Sequence, residues 1–132
     1  MYTWRIATSN DFHKVNALLV AAKQSWGVDS LRHRVIIPLF LEQLILFEKD
    51  GQACGFVTYA LMDGQSACHQ ATVGILPADW RSGKQLWVID LVALDGCGDK
   101  MLFSLLKDVS GAIEMPMRYF RLKTKQIRRM ST

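Results

Sequence analysis

Two residues in this chain have side chains and surroundings suited to proton chemistry. His33 stands in the polar stretch SLRHR (residues 30–34), directly before an apolar segment, and Asp90 stands inside the strand-forming run of residues 86–94. An imidazole, with an ordinary pKa of about 6.5, can take a proton near neutrality. A carboxylate between apolar neighbours is costly to bury unless it is hydrogen-bonded, paired or protonated, so the fold must give Asp90 a partner. Together they have a chemical logic, because a buried carboxylate can fix the tautomer of an imidazole and stabilise the imidazolium that forms. Such a pair needs no metal and no redox cofactor. It suits the activation of a nucleophile such as a lysine amine, whose ordinary pKa of about 10.4 leaves it mostly protonated and unreactive at pH 7. Taken singly, a surface histidine and a structural ion-pair carboxylate are the commoner readings.

The rest of the chain offers little competing chemistry. The other histidines, His13 and His69, form no metal-ligand spacing with His33, and HExxH, phosphate-loop and GxSxG patterns are absent. Cys54, Cys68 and Cys97 form no CxxC pair, which suggests neither a zinc site nor a disulfide framework. No metal site is expected.

The elements that must position these residues follow from patterning. The stretch of residues 79–99, DWRSGKQLWVIDLVALDGCGD, places a core strand between two glycine-containing turns. Strict alternation would put Trp87, Ile89 and Leu91 on one face and Val88, Asp90 and Val92 on the other. Thr8 and Asp11 form a capping-box pattern ahead of Phe12, Val15, Leu18, Leu19 and Ala22, which predicts a helix over residues 11–23. The SLRHR stretch is expected in a loop, followed by a short helix from Pro38 to Gln43. Residues 44–47 and 55–61 flank Asp50 and Gly51 as a hairpin, and residues 66–74 suggest another strand. A helix over residues 99–109 and a last strand over 117–125 complete an α+β sheet with helices packed against it.

With 132 residues, half of them hydrophobic and 21% charged, the chain is expected to form a single globular domain over residues 1–132. The longest uncharged apolar run is too short to cross a bilayer and contains Pro38, and no secretory signal pattern is present, so a cytoplasmic location is expected. Arg118, Arg121, Lys123, Lys125, Arg128 and Arg129 form a basic C-terminal stretch that would attract an acidic partner. No nucleic-acid motif accompanies it, and nucleic acid is not expected as a partner.

SLRHR followed by IIPLFLEQLILFEKDGQACGFVTYALMD, and then ADWRSGKQLWVIDLVALDGCGD, resembles the RTX toxin-activating lysine acyltransferases. The most specific part is DWxSGxxxWxID with a later GD, here Asp79, Trp80, Ser82, Gly83, Trp87, Ile89, Asp90, Gly98 and Asp99. The resemblance implies a fold like that of the GNAT acetyltransferases. It implies transfer of a fatty acyl group from acyl carrier protein to internal lysines of an RTX-type protoxin, with no cofactor beyond the acyl-carrier donor. By the same resemblance His33 and Asp90 match the family's essential histidine and aspartate, and the protein pairs as a homodimer. Ser30 belongs to the family's Ser–x–x–His stretch, and Gln43 takes the place of an asparagine near the histidine. Ser30, Gln43, Arg81 and Lys84 are the expected substrate-binding residues, Arg81 and Lys84 by holding the acidic carrier. The chain departs from the family in being shorter, in carrying Leu91 after the aspartate, and in lacking a proline in the following turn. Two other readings stay open: a GNAT-type N-acetyltransferase using acyl-CoA, for which Gly96, Cys97 and Gly98 are a faint pyrophosphate loop, and a truncated homologue that binds carrier protein or toxin without turnover.

Overall fold

In the computed structural model the described residues are 2–24, 26–64, 75–94, 97–98, 100, 104–109, 111 and 117–118. A sheet of order β1-β2-β3-β4-β5 is formed by β1 Tyr2–Ile6, β2 Leu44–Lys49, β3 Gln52–Met62, β4 Gln85–Ala93 and β5 Met117–Arg118. The first four strands are antiparallel neighbours, and β5 runs parallel to β4, pairing Met117 with Leu86 and Arg118 with Trp87. The expected hairpin is present. Asp50 and Gly51 have φ of 52° and 83°, the pair of positive angles that lets a two-residue turn follow the twist of the flanking strands.

Helices cover both faces of the sheet. On one face Val15, Leu18 and Leu19 of α1 (Phe12–Ala21) pack with Val35 and Leu39 on Leu44, Leu46, Phe56 and Val92. On the other, Ile45, Phe47, Val57, Val88, Leu91 and Ala93 pack with Cys97 and Val109, the latter in a wide helical turn, Leu105–Val109. This explains why the first four residues of β2 are buried without alternation: successive side chains enter two different cores. The start of α1 follows the capping logic, with the Thr8 N–H donating to Asp11 Oδ2 at 2.9 Å, although its first turn, Ser9–Asp11, is 3-10.

Three expectations require correction. The segment around SLRHR is helical rather than a loop: α2 Val28–Leu31 continues through a π-helical turn, Arg32–Ile36, into α3 Ile37–Phe40. Leu31, Val35 and Leu39 recur every four residues and bury one stripe against the sheet, which outweighs the local polarity. Pro38 falls inside this run, not before it. The Ile37 N–H reaches back five residues to the Arg32 carbonyl, and the widened turn makes room for a ring that would clash in a regular helix. Second, β1 precedes the expected first helix. Third, the β3–β4 register steps from Thr58↔Asp90 to Tyr59↔Val88, so Ile89 is an extra residue and the predicted alternation fails. Val88 shares a core with Leu91 and Ala93, while Trp87 and Ile89 pack beside Ile37 and Leu41 of the helical segment. The expected strand over residues 66–74, residues 99 and 101–103 of the expected helix over 99–109, and residues 119–125 of the expected last strand lie outside the described residues. Among the described residues, no helix is long and apolar enough to cross a membrane.

Candidate active site

His33 sits in the π-helical turn, half-buried, one position before Arg34. A π turn advances each residue by less than the usual 100°, so it re-aims the side chains it carries, and such turns occur frequently at functional sites. The Nδ1 atom of His33 is buried and has no hydrogen-bond partner. Ser30 is three residues earlier on the same helical face, also half-buried.

Asp90 lies next to the bulge of β4 and is only 3% exposed. Ile89 and Asp90 are turned to the same side, Ile89 packing, as Ile37 does, against the cluster of Ala60, Met62 and Trp80, and Asp90 meeting Arg34. The Asp90 N–H donates to the buried hydroxyl of Thr58 at 3.2 Å, a side chain standing in where the ladder is interrupted. Its carboxylate has the partner that burial demands, but that partner is Arg34. Arg34 Nε donates to Oδ2 at 3.1 Å and Nη2 to Oδ1 at 2.5 Å, a two-pronged fork that occupies both oxygens. The carboxylate's hydrogen bonds come from Arg34, and no direct His33–Asp90 bond, the orienting contact expected from the pair, is formed. The guanidinium also lies 3.8 Å from the ring centroid of Trp26, whose indole packs on the α1-side core.

The remaining expected site residues divide. Gln43, 2% exposed, is engaged within the fold: its Nε2 donates to the carbonyls of Tyr59 and Trp80, both at 2.9 Å, and its Oε1 accepts from Arg81 Nε at 2.7 Å. Both donors and one of the two acceptor lone pairs are therefore used inside the fold, an engagement that is structural and shows no contact of the kind expected with a substrate. Arg81 is held in the same knot, its Nη2 donating to the Leu41 carbonyl at 2.5 Å. Lys84 is exposed just before β4, outside this network.

The segment between Asp79 and Gly83 is a support for the site. Asp79 Oδ2 caps the 3-10 turn Pro77–Asp79 by accepting from Leu76 N–H at 2.8 Å, and Trp80 is fully buried. The N–H groups of Ser82 and Gly83 converge on the Leu61 carbonyl at 2.7 and 2.9 Å. A Cβ on Gly83 would stand 2.1 Å from the Asp63 nitrogen and 2.3 Å from the Met62 carbonyl carbon, so only glycine fits there. This contact fixes the start of β4, and with it the bulge and Asp90.

Elsewhere, His13 is exposed, while His69 and Cys68 lie outside the described residues. Burial pushes the Cys54 thiol up to about 12, keeping it protonated in the core beside Cys97. Hydrogen bonding from Arg5, at 2.8 Å to each oxygen, holds the Asp11 carboxyl well below the usual range.

Comparison with solved structures gives the same architecture. The chain is similar to the loading GNATL domain of CurA from Lyngbya majuscula, with a TM-score of 0.52 and 17% identity over 81% of this chain and 57% of that one. It is also similar to a predicted acetyltransferase with acetyl-CoA from Clostridium acetobutylicum, with a TM-score of 0.50 and 12% identity over 96% of this chain and 88% of that one. The fold is thus the GNAT-like α+β one expected from the sequence resemblance. Comparison with the sequences of curated proteins gives no match. The profile of the RTX toxin acyltransferase family, by contrast, matches residues 9–132, which takes in His33, Asp90 and the whole of β2–β5. The chain belongs to the RTX toxin acyltransferase family.

Proposed function

We propose that this acyltransferase moves a fatty acyl group from the thioester of acyl carrier protein to side-chain amines of internal lysines in an RTX-type protoxin, in the cytoplasm and as a homodimer. The observation that supports this reading is the Arg34 fork, which joins the helical turn carrying His33 to the bulge carrying Asp90.

The chemistry needs a base, a place for negative charge and a proton for the leaving group. His33 takes the proton as the lysine nitrogen attacks the thioester carbonyl carbon, and because Nδ1 is enclosed, Nε2 is the nitrogen that meets it. The tetrahedral oxyanion is held by backbone N–H groups, with Ile89, which has no cross-strand partner in the register, as the nearest candidate. Collapse breaks the C–S bond, forms the amide, and returns the proton from the imidazolium to the departing thiolate. Asp90 supports the site by anchoring the Arg34 fork beside His33. Ser30 and Lys84 contact the substrates, Lys84 with Arg81 as positive charge facing the acidic carrier. The exposed Val28 and Phe40, 74% and 70% accessible, are apolar surface on the helical segment that pairing of two subunits would cover.

The deciding experiment incubates the protein with a protoxin and either palmitoyl-loaded carrier protein or palmitoyl-CoA. Lysine acylation from the carrier, abolished in His33→Ala, is expected. Transfer from coenzyme A alone would replace the reading by a GNAT-type N-acyltransferase, and binding without turnover by a non-catalytic homologue.

A further inference from the structure

We infer that Arg34 is the positioning residue of this site, and that Asp90 acts on His33 only through it. This rests on His33 being the base. The geometry points there because two irregularities, one in each element, meet at a single ion pair. The bulge at Ile89 turns Asp90 out of the alternation of β4 toward the helices, and the π turn of Arg32–Ile36 re-aims Arg34 toward β4. Each irregularity disturbs the regular hydrogen bonding of its element. The π turn also makes room for Pro38, and what the two irregularities produce together is the Arg34–Asp90 fork.

The fork is held from two sides. Asp90 is anchored at its own N–H by Thr58, and Arg34 is backed by the Trp26 ring at 3.8 Å. Trp26 is in turn seated on the core that buries Val35, the residue after Arg34. A planar fork accepted by two carboxylate oxygens fixes orientation as well as distance, which a point charge does not. His33, one position before Arg34 in the same turn, has no hydrogen bond at Nδ1 to fix its ring. The backbone of its turn is therefore what holds it; Leu31, Val35 and Leu39 seat that backbone on the sheet, and the Arg34 fork fixes its orientation there. A displacement of about 1 Å of a reacting group costs on the order of a hundredfold in rate. The Arg34 guanidinium is spent on Asp90 and backed by Trp26, and it acts by placing the residue beside it.

The test compares Arg34→Met, Arg34→Lys, Asp90→Asn and the double variant Arg34→Met/Asp90→Asn with the parent protein. Palmitoyl-loaded carrier protein is the donor and an RTX protoxin the acceptor, at a temperature where calorimetry shows every variant folded. The readout independent of turnover is the His33 ring resonance in 15N-labelled protein. Arg34→Met and Asp90→Asn are each expected to lower kcat tenfold to a hundredfold, on the order set by that displacement, with KM nearly unchanged. The double variant should be no slower than the slower single one, since both changes dissolve the same clamp. The His33 resonance should move in the same way in all three, and Arg34→Lys should recover only part of the rate. If the pair only supports the fold, Tm falls while kcat per folded molecule and the His33 resonance stay as in the parent, and the inference is overturned. Losses that multiply in the double variant also overturn it, because Asp90 would then act without Arg34. Should a single variant not fold, Arg34→Met/Asp90→Leu replaces the ion pair by apolar volume, a change that folds well in comparable buried pairs, and must still lose the rate and move the resonance. The two readings fail separately. Parent-like activity in His33→Ala removes the base and leaves the resonance result standing, whereas an inactive His33→Ala beside a parent-like Arg34→Met removes only Arg34.

Discussion

Replacing Gln43 by alanine separates a structural amide from a substrate-binding one. In the native fold Gln43 Nε2 bonds two carbonyls and Oε1 receives Arg81, all within 2.9 Å. The losses differ in size. The Trp80 carbonyl keeps the N–H of Leu61 at 2.8 Å, so its second bond is worth an ordinary ~1 kcal/mol. The Tyr59 carbonyl loses a buried donor, for about 1–3 kcal/mol depending on what replaces it. Arg81 is exposed and turns to water at little cost. With a small cavity added, Gln43→Ala should destabilise by about 2–4 kcal/mol. For a domain of this size that is a fall in Tm of roughly 7–15 °C, read by calorimetry. Activity per folded molecule, measured well below Tm, should stay near that of the parent. An unchanged Tm with a raised KM would refute the reasoning and return Gln43 to the substrate. Gln43→Asn, with a shorter reach, should fall between the two because it cannot span Tyr59, Trp80 and Arg81 at once.

Four further outcomes follow from the same geometry. Gly83→Ala forces a Cβ into the Met62–Asp63 backbone at 2.1–2.3 Å and should cost ~3 kcal/mol or more, seen as a lower denaturation midpoint. Thr58→Val leaves the Asp90 N–H buried without its acceptor; a loss of roughly 1–3 kcal/mol is expected, with acyl transfer impaired alongside, by chemical denaturation and single-turnover assay. Asp11 has its carboxyl held low by Arg5, so its stabilising contribution is complete above the unfolded value of about 4 and is lost as pH falls below it; Asp11→Asn should flatten the acid side of the stability curve. Cys54, raised to about 12, works in the opposite direction: the unfolded thiol ionises from about pH 8.5 while the folded one does not, so stability should decline between those values and less so in Cys54→Ala.

How far the sequence disclosed this depended on whether a local pattern or a tertiary one decided the outcome. The Asp50–Gly51 turn and the Thr8–Asp11 cap are local, and both were legible because a φ above zero or an orphan N–H demands particular side chains. The helix through SLRHR was not, because its polar residues mask a stripe of Leu31, Val35 and Leu39 that matters only once the sheet lies beneath it. The bulge at Ile89 leaves no composition signal, since every residue from 86 to 89 suits a strand in either register. That one extra residue decides which face Val88 shares and what Asp90 meets. The need of Asp90 for a partner was legible, whereas its identity was not: the arginine beside the histidine, one position away, has the longer reach and both donors.

The motif DWxSGxxxWxID is therefore less a catalytic signature than a device for presenting one carboxylate. Asp79 caps a turn, Trp80 fills the core, Ser82 and Gly83 lock onto the Leu61 carbonyl, and Trp87 and Ile89 pack beneath the helical segment. Each fixes where β4 begins and how it bends, and only Asp90 reaches the turn that carries His33. Substitutions in the first part of the motif should then lower stability and activity together, through the position of the bulge. Substitution of Arg34, which lies outside the motif, should lower activity more than stability. A scan that measured both quantities at Asp79, Ser82, Asp90 and Arg34 would find the first two on one line and Arg34 off it. Finding Arg34 on that line would mean that the ion pair is one more support of the fold and that the base is held by something else.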